Sequence, residues 1–335
     1  MFSAAAPGTT NLRSANRNRN TPANRNNNLL ELEGELLSLQ QDLESGRYQP
    51  SGYRQFWIKD RKPRLVSAAP IRDRIVHHAV MNVVEPWLDK KFIDDSYASR
   101  RSKGVHAAVD RYQTWARRYA YVMRLDIQSY FPKIDHKKLK RSLAALIGDI
   151  STLDLLFKII DSYCAATPGR GLPVGNVTSQ VFANLYLNDI DHYVKQHLVI
   201  KGYLRYVDDF AVFSDSKSDL HHYKRALQLK LDEIGLALHP RKQRILPTSE
   251  KTEFLGYQLS RDRRWLRNDN GYRFRRRAKA LTKACARGEC SLRQARASMM
   301  SWAGHACHAE ADALIREVFQ KTVFRFPERP ESAAN

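Results

Sequence analysis

The chain has 335 residues, 43% of them hydrophobic, and carries a formal net charge of +21. A chain of this length can bury a large core divided into two or three subdomains, and no apolar run approaches the about 20 residues that a membrane span needs. The excess of positive charge predicts a polyanionic partner, and nucleic acid is favoured over a membrane because no lipid-facing element is apparent.

A disordered basic arm is predicted for residues 1–28. This segment is rich in Asn, Ala and Arg, contains no acidic residue and offers little apolar surface for a core. No secretory signal is evident at its start, and the four cysteines lack the spacing of a disulfide framework or a zinc site. We therefore expect free thiols in a cytoplasmic protein.

An amphipathic helix and a basic hairpin are predicted next. Leucines at positions 32, 36, 39 and 43 mark one face of the helix, which should end near Gly46. Residues 56–66 are then predicted to form two short strands around a turn that contains Lys59, Arg61, Lys62 and Arg64. Basic side chains at such a turn can bind a triphosphate, and the alternative is a turn exposed to solvent.

The strand predicted at 121–127 ends in an acid. Asp126 follows an apolar run that begins at Tyr121, and the aromatic pair Tyr130-Phe131 comes shortly after it. A carboxylate in this position could lie near acids from another strand. Asp135 stands at a predicted helix start, where Asp more often caps a helix than catalyses.

A glycine-rich loop at 169–180 leads into a helix that we predict to be long. Its apolar positions include Val181, Leu185, Ile190 and Val194. Glycines in such a loop allow close approach of another backbone or of a nucleotide. The pattern G-x-x-x-x-G-K-[ST] is absent, which excludes a Walker-type ATPase.

Two short apolar strands at 204–213 enclose an acidic pair. Tyr, Val and Phe favour strands, and Asp208-Asp209 stand at the predicted turn between them. Adjacent carboxylates repel and raise each other's pKa. A cation between them relieves that repulsion, and hard oxygen ligands suit Mg²⁺. The pair therefore indicates a metal site, with a solvated turn as the alternative.

The composition changes after a short strand predicted at 254–259. Between 261 and 277, eight arginines are interleaved with Trp265, Tyr272 and Phe274. Cations that bind phosphates and aromatic rings that stack on bases suit a nucleic-acid channel. The rest of the chain to Phe324 is rich in Ala and Leu, and we predict a small helical domain.

The order of these features resembles that of the reverse transcriptases. Leu125-Asp126-Ile127 with Phe131 is similar to the first catalytic motif of the family, and Tyr206-Val207-Asp208-Asp209 is similar to its [YF]-x-D-D box. The similarity covers nearly everything from about Gln55 to His308. It implies an α+β fold of the right-hand polymerase type, with fingers, a palm that contains an antiparallel sheet, and a helical thumb.

The resemblance also sets the expected domain boundaries. The basic arm would occupy residues 1–28 and the fingers 29–120. The palm would span 121–260 and contain a further fingers segment at about 136–170. The helical thumb would span 261–335, with a basic segment at its start.

Roles for individual residues follow from the same resemblance. Two Mg²⁺ ions, for which Mn²⁺ can substitute, would be held by Asp126, Ile127, Asp208 and Asp209. Lys242 matches the lysine proposed to protonate the leaving pyrophosphate, and Phe131 matches the bulky residue that excludes a 2′-hydroxyl. The residues implied to bind the incoming dNTP are Lys62, Arg64, Phe131, Val174, Gly175 and Gln180. The residues implied to contact primer and template are Phe254, Leu255, Gly256, Tyr257, Arg275 and Arg276.

Within the family, two segments resemble the enzymes of diversity-generating retroelements. Most reverse transcriptases have Gln-Gly and then Ser-Pro in the glycine-rich loop, whereas this chain has Val174-Gly175 and Ser179-Gln180. The segment Ser301-Trp302-Ala303-Gly304-His305-Ala306 resembles the thumb signature of the subfamily. This resemblance implies an error-prone RNA-directed DNA polymerase for mutagenic retrohoming, which copies a template RNA into cDNA with errors at adenines. It also implies a bacterial, archaeal or phage gene and a small basic oligomeric partner, the accessory variability protein.

Two alternatives remain open. Retron-type and group II intron-type reverse transcriptases share the palm, but a short thumb and the lack of a maturase or endonuclease region fit them less well. A non-catalytic RNA-binding protein with a polymerase fold is the third hypothesis. The retention of Asp126, Asp208 and Asp209 argues against it, because an inactive enzyme has no need of three converging acids.

Overall fold

A four-stranded antiparallel sheet lies at the centre of the computed structural model, which describes residues 22–59 and 63–325. Neighbouring strands in this sheet are, in spatial order, β4 (Tyr203–Tyr206), β5 (Asp209–Ser214), β3 (Tyr121–Asp126) and β6 (Arg244–Pro247). The first two form the predicted hairpin around the acidic pair, and the third is the predicted strand that ends in Asp126. The sheet therefore joins segments that are far apart in the sequence.

Both faces of the central sheet are covered, which explains why its middle strands contain consecutive apolar residues. Side chains alternate between the two faces of a strand. In β5, Phe210 and Val212 belong to one hydrophobic core, whereas Ala211 and Phe213 belong to a second core on the opposite face. A strand buried on both sides needs apolar residues at consecutive positions, as this strand has.

The larger core is formed by helices packed on one face of the sheet. These helices are α2 (Ile71–Asp89), α5 (His136–Ala144), α6 (Ile150–Asp161), α7 (Val177–Tyr186), α8 (Asn188–His192) and α9 (Lys217–Glu233). On the other face, α3 (Val105–Arg118) packs against the sheet and forms the smaller core with residues 254–259. The short helix α4 (Tyr130–Lys133) follows β3. The predicted cap is confirmed, since the Asp135 carboxylate accepts a hydrogen bond from the Lys138 amide at the start of α5.

The segments before the sheet differ in part from the prediction. Helix α1 (Pro22–Glu44) begins within the predicted disordered arm, so that prediction is wrong for residues 22–28. Proline is well accommodated in the first turn of a helix, where its missing N–H costs no hydrogen bond. The remainder of the arm lies outside the described residues. The predicted hairpin is present as β1 (Arg54–Lys59) paired with β2 (Pro63–Ala68), and Lys62 in its turn also lies outside the described residues.

The long helix predicted after the glycine-rich loop is interrupted in the structure. Helix α7 ends before Leu187, which adopts a non-helical ψ of 3°. Helix α8 follows, and a π-helical turn spans Tyr193–His197. The apolar positions still share one core, because Val181, Ile190 and Val194 are all buried in it. Periodicity predicted the buried face correctly and missed the break.

The segment predicted to be the thumb begins with a strand and continues as three helices. Strands β7 (Thr252–Phe254), β8 (Tyr257–Leu259) and β9 (Arg264–Leu266) form a three-stranded antiparallel sheet. Strand β9 lies within the basic segment expected at the start of the helical thumb, and it completes this sheet beside β8. Helices α10 (Asn268–Ala286), α11 (Leu292–Ala306) and α12 (Asp312–Lys321) pack around their own small core. None of the helices in the described ranges combines the length and hydropathy that crossing a membrane requires.

Candidate active site

The acidic pair lies at the turn between β4 and β5. Tyr206 and Asp209 are cross-strand partners, so the turn itself consists of Val207 and Asp208. Val207 has a φ of +56°, a left-handed conformation that is costly for a β-branched residue. Such a conformation persists only where surrounding contacts hold it. The turn is therefore fixed by its neighbours and not by the preference of its own sequence.

Register in the sheet brings Asp126 to the acidic turn. Asp126 on β3 is the cross-strand partner of Asp209 on β5, and Cα atoms of such partners lie about 4.5–5.5 Å apart. The backbone amide of Ile127 donates a hydrogen bond of 3.2 Å to the carbonyl of Asp208. The three predicted acids, separated by about 80 residues in sequence, thus lie at one edge of the sheet.

Burial and charge repulsion both change the pKa of an acid in this cluster. The pKa of Asp208 is raised to about 6, mainly by burial and in addition by the neighbouring charges of Asp126 and Asp209. Asp126 forms an ion pair of 2.7 Å with the Lys242 Nζ, and Asp209 forms one with Arg124. Within residues 22–59 and 63–325 Asp208 forms no such ion pair, and the more distant charge of Lys242 lowers its pKa.

The donor set fits a hard divalent cation. Carboxylates and a backbone carbonyl are the ligands such cations prefer, and the raised pKa of Asp208 marks a place where added positive charge is favourable. In their present rotamers, no three His, Cys, Asp or Glu side chains within 22–59 and 63–325 converge on one point. Two of the three carboxylates are turned toward Lys242 and Arg124 instead. A cation would have to compete with these side chains for the acids.

A fully buried ion pair lies directly behind the acidic turn. The Arg205 guanidinium donates to both carboxylate oxygens of Asp191 at 2.6–3.0 Å, and Tyr203 donates its hydroxyl to the same carboxylate at 2.6 Å. Arg205 also donates to the Val207 carbonyl at 2.9 Å. Both charged side chains have 0% relative exposure. This network fixes Val207, whose left-handed backbone conformation is unfavourable, and so it positions the acidic turn.

Arg124 connects Asp209 to strand β7. It lies two residues before Asp126 on β3, so the two side chains share one face of the sheet. Its guanidinium donates to the Asp209 carboxylate and, at 2.6 Å, to the Glu253 carbonyl. The guanidinium carbon lies 4.3 Å from the centroid of the Phe254 ring. The position of Asp209 is therefore coupled to that of β7.

Two of the residues predicted to bind the nucleotide, Val174 and Gly175, lie at the junction between β2 and the glycine-rich loop. The Val174 carbonyl accepts a hydrogen bond of 3.0 Å from the Ser67 amide on β2. Gly175 has a φ of +117°, and a Cβ there would lie 2.8 Å from the Val66 side chain, so only glycine fits. The Leu172 amide donates to the Phe131 carbonyl at 3.0 Å, which connects the loop to the segment after Asp126. The loop thus joins the hairpin to the segment that follows β3.

The remaining predicted residues that the structure describes lie on β2, on α7, at the turn between β7 and β8, and on α10. Arg64 is exposed on β2, and Gln180 on α7 accepts a hydrogen bond from the Ser99 hydroxyl. Residues 254–257 form the turn between β7 and β8. Arg275 and Arg276 lie on α10, where Arg275 pairs with Glu317 at 2.6 Å. The structure places these two arginines on the thumb helix and records no contact between them and the acids in the described part of the chain.

Sequence reasoning missed Arg124, Arg205 and Asp191. Two signals were available: Arg124 shares the strand period with Asp126, and Arg205 interrupts an otherwise apolar strand. An arginine in a buried strand requires an acidic partner. No local pattern identifies that partner as Asp191, because the two residues meet only after α8 has packed beside β4.

Comparisons with known proteins agree with this geometry. A model of the family described as "Reverse transcriptase (RNA-dependent DNA polymerase)" matches residues 58–259. The chain is 26% identical to protein YkfC of Escherichia coli K12, over 68% of this chain and 72% of YkfC. It is 22% identical to the group II intron-encoded protein LtrA of Lactococcus lactis, over 68% of this chain and 50% of LtrA. The chain thus spans about half the length of LtrA.

Solved structures provide a second comparison. The chain superimposes on apo telomerase from Candida tropicalis with a TM-score of 0.51 and 13% identity, covering 81% of this chain and 56% of the telomerase. Telomerase from Candida albicans, in complex with a fragment of telomeric RNA, matches with a TM-score of 0.50 and 13% identity, covering 83% and 56% of the two chains. At this identity the likeness concerns the fold alone. It confirms the predicted α+β polymerase fold.

Proposed function

The chain belongs to the reverse transcriptase family of RNA-dependent DNA polymerases, whose model matches more than half of it, and we propose that it copies a template RNA into DNA for a diversity-generating retroelement. The polymerase proposal is carried by one observation, the adjacency of Asp126, Asp208 and Asp209 at a single sheet edge. The retroelement proposal is carried by the glycine-rich loop, in which Val174 stands where most relatives have glutamine.

We propose that Asp126, Asp208 and Asp209, with the Ile127 carbonyl, hold divalent cations, with Mg²⁺ as the physiological ion and Mn²⁺ as a substitute. Such ions activate the primer 3′-hydroxyl and stabilise negative charge on the leaving pyrophosphate. A bound cation would stabilise the charged form of Asp208 most, since burial and two neighbouring carboxylates disfavour that form. Lys242 carries an ammonium group 2.7 Å from Asp126, from which a proton can pass to the leaving pyrophosphate.

The incoming dNTP is proposed to lie between the hairpin and the glycine-rich loop. Arg64, with Lys62 in the adjoining turn, would bind the triphosphate, and arginine offers a bidentate fork for phosphate oxygens. Gly175 keeps the loop backbone close to β2 and leaves room for the nucleotide. Phe131 would exclude a 2′-hydroxyl, and Gln180 would contribute a polar contact near Ser99.

The primer and template are proposed to lie along residues 254–257 and the thumb. Leu255 and Gly256 both have positive φ, so the turn between β7 and β8 is sharply bent and presents its backbone. Arg275 and Arg276 on α10 would bind backbone phosphates of the duplex. The strong positive charge of the whole chain favours binding of this polyanion.

Low fidelity is proposed to arise from Val174. Relatives place an amide here that can hydrogen-bond near the incoming nucleotide, whereas valine offers only methyl groups. The Val174 side chain has 36% relative exposure, and its carbonyl is already bound by Ser67. The side chain is therefore available to a substrate but provides no hydrogen bond. Loss of one such contact weakens discrimination by about 1 kcal/mol.

We predict that Val174→Gln lowers misincorporation opposite template adenines by about fivefold, the equivalent of about 1 kcal/mol. The glutamine amide restores a directional contact that penalises a misplaced base. The measurement is deep sequencing of cDNA made from one template RNA by the two proteins. Val174→Leu serves as the matched control, because it changes shape without adding a polar group and should retain the wild-type error spectrum. Identical adenine error rates in wild type and Val174→Gln would show that Val174 does not cause the low fidelity.

The second candidate is a retron- or group II intron-type reverse transcriptase. The similarity to LtrA, named as an intron-encoded protein, supports this candidate. The neighbourhood of the gene separates the two: a variable-gene repeat indicates a diversity-generating retroelement, and an intron RNA indicates the alternative. A bacterial, archaeal or phage genome and a cytoplasmic location are part of the first proposal.

Biochemical reconstitution tests the retroelement proposal directly. We propose that a small basic oligomer, the accessory variability protein, acts with this chain on a structured template RNA. cDNA synthesis on that RNA should be weak with the isolated chain and efficient once the partner is added. Efficient, accurate synthesis by the isolated chain on its own RNA would contradict the retroelement proposal and would leave the polymerase proposal intact.

A further inference from the structure

Three histidines and one tyrosine connect the thumb to the palm. His106 lies near the start of α3, Tyr257 is the first residue of β8, and His305 lies near the end of α11, with His308 just after it. The rings of His106 and His308 stack with centroids 3.6 Å apart, and those of Tyr257 and His305 are 4.6 Å apart. Three segments distant in sequence thus meet at one buried phenol.

The Tyr257 hydroxyl has partners for all of its hydrogen-bonding capacity. It donates to the His305 carbonyl at 2.9 Å. The Nδ1 atoms of His305 and His106 lie 3.0 and 3.3 Å from the same oxygen. A phenolic hydroxyl has one proton to donate and can accept from two donors. With both imidazoles donating from Nδ1, a single arrangement satisfies the buried group completely.

The same histidine covers the turn proposed to support the primer. Gly256 has a φ of +90°, and a Cβ built on it would lie 3.7 Å from His305 Cε1. One helical turn before His305, the Trp302 ring stacks on Phe274 at 4.1 Å and donates to Asn270 at 2.8 Å. One stretch of α11 is therefore anchored in the thumb core and reaches the palm through His305.

We propose that His305 is a positioning residue for the primer 3′ end, which it holds in place through Tyr257 and the turn at residues 255–256. The thumb that binds the duplex and the turn that supports its end would then move as one unit. We call the contact of Tyr257, His106, His305 and His308 the thumb latch. The inference rests on the proposed polymerase function, because the primer is a substrate of that reaction.

The charges around the thumb latch make it sensitive to acid. Burial lowers the pKa of His305, and the charges of His106 and His308 lower it further. Burial also lowers the pKa of His106, with His308 and Arg264 adding to the effect and Asp110 opposing it. Cys307 is the remaining titratable group that faces Tyr257.

The sign of the pH dependence follows from these directions. The imidazoles bind protons less readily when the latch is closed than when the thumb is free. The latch therefore contributes its full stability above the ordinary histidine pKa of about 6.5, and it weakens as the pH falls below that value. Acid should favour release of the thumb from the primer-supporting turn.

Substitutions in the full-length protein test the positioning role. His305→Ala is expected to raise both the Kd and the KM for a primer–template duplex about tenfold, while kcat at saturating duplex changes little. Tyr257→Phe, which removes only the hydroxyl, should have the same effect. His305→Asn can supply an N–H close to the position of Nδ1 and should stay within about threefold of wild type. His222→Asn, an exposed residue on α9, is the matched control and should behave as wild type.

Amide hydrogen exchange of residues 253–259 provides a readout that needs no polymerase activity. Exchange should be faster in His305→Ala than in wild type, and faster in wild type at about pH 5.5 than at about pH 7.5 after correction for intrinsic rates. The pH effect should be smaller in His305→Asn. Unchanged duplex affinity and unchanged exchange in a folded His305→Ala protein would overturn the proposal. Exchange that follows these expectations in a protein without polymerase activity would support the latch and contradict the proposed function.

Discussion

Asp208→Asn is expected to reduce DNA synthesis by about 1,000-fold or more, which corresponds to about 4 kcal/mol of lost transition-state stabilisation. Asparagine keeps the size of the side chain but removes the charge that would bind a divalent cation. The effect should appear in kcat on a primed RNA template, with binding of the duplex retained. Undiminished activity in this variant would contradict the assignment of Asp208 as a metal ligand.

The same substitution should stabilise the protein when divalent ions are absent. Burial and nearby carboxylates raise the pKa of Asp208 to about 6, whereas an unfolded chain loses this proton near about pH 4. The charged form therefore opposes folding above about pH 6, and this cost disappears as the pH falls toward about 4. At neutral pH in a chelator, Asp208→Asn should be more stable by at most about 3 kcal/mol. Partial exposure of the turn reduces that figure.

A matched control separates the local effect from a general effect of charge. Asp154 is exposed on α6, and Asp154→Asn should change neither the melting temperature nor the activity. Loss of activity together with a gain in stability at Asp208 is typical of a binding site that sacrifices stability for function. A destabilised Asp208→Asn protein would show that the carboxylate has a structural role instead.

Arg205→Met is expected to destabilise the fold by about 3–5 kcal/mol, because it leaves the Asp191 carboxylate buried without its cation. For a chain of this size the melting temperature should fall by about 10 °C. Tyr203 still donates to Asp191 in the variant, but one neutral hydrogen bond does not replace a bidentate ion pair. Thermal and urea unfolding of the full-length protein measure the effect.

The fold destabilisation should be accompanied by a loss of activity in the remaining folded protein. Arg205 donates to the Val207 carbonyl, so its removal frees the turn that carries Asp208. The exposed pair of Arg287 and Glu289 provides the control, and Arg287→Met should leave the melting temperature almost unchanged. Replacing Arg205 and Asp191 together by apolar residues should recover much of the stability but not the activity. A loss below about 1 kcal/mol in Arg205→Met would show that the pair does not stabilise the fold.

Local sequence patterns predicted most of the secondary structure near the site. The apolar strand that ends in Asp126, the strands around Asp208-Asp209 and the cap at Asp135 are all present. Each depends on preferences of residues within a few positions of one another, which a sequence displays directly. The break after α7 and the strand at 264–266 were missed, because neighbours distant in sequence decide whether such segments continue a helix or join a sheet.

Local patterns could not predict the roles of residues that depend on contacts with residues distant in sequence. Lys242 was assigned by its likeness to a family position, and the structure adds the ion pair with Asp126. Nothing in the local sequence connects His305 with Tyr257 and His106, which come from three elements. The charge of Arg205 could be noticed in the sequence, but its partner could not.

The sequence by itself determined the chemical groups of this protein: three acids at strand ends, a basic hairpin, a glycine-rich loop and an arginine-rich segment leading into the thumb. Only the tertiary structure decided which of these groups meet. Asp126 reaches Asp208 through sheet register, Asp191 reaches Arg205 through the packing of α8, and His305 reaches Tyr257 through the seating of the thumb. The physical reason is that residue preferences act over a few positions, whereas burial and ion pairing act between segments brought together by the whole core.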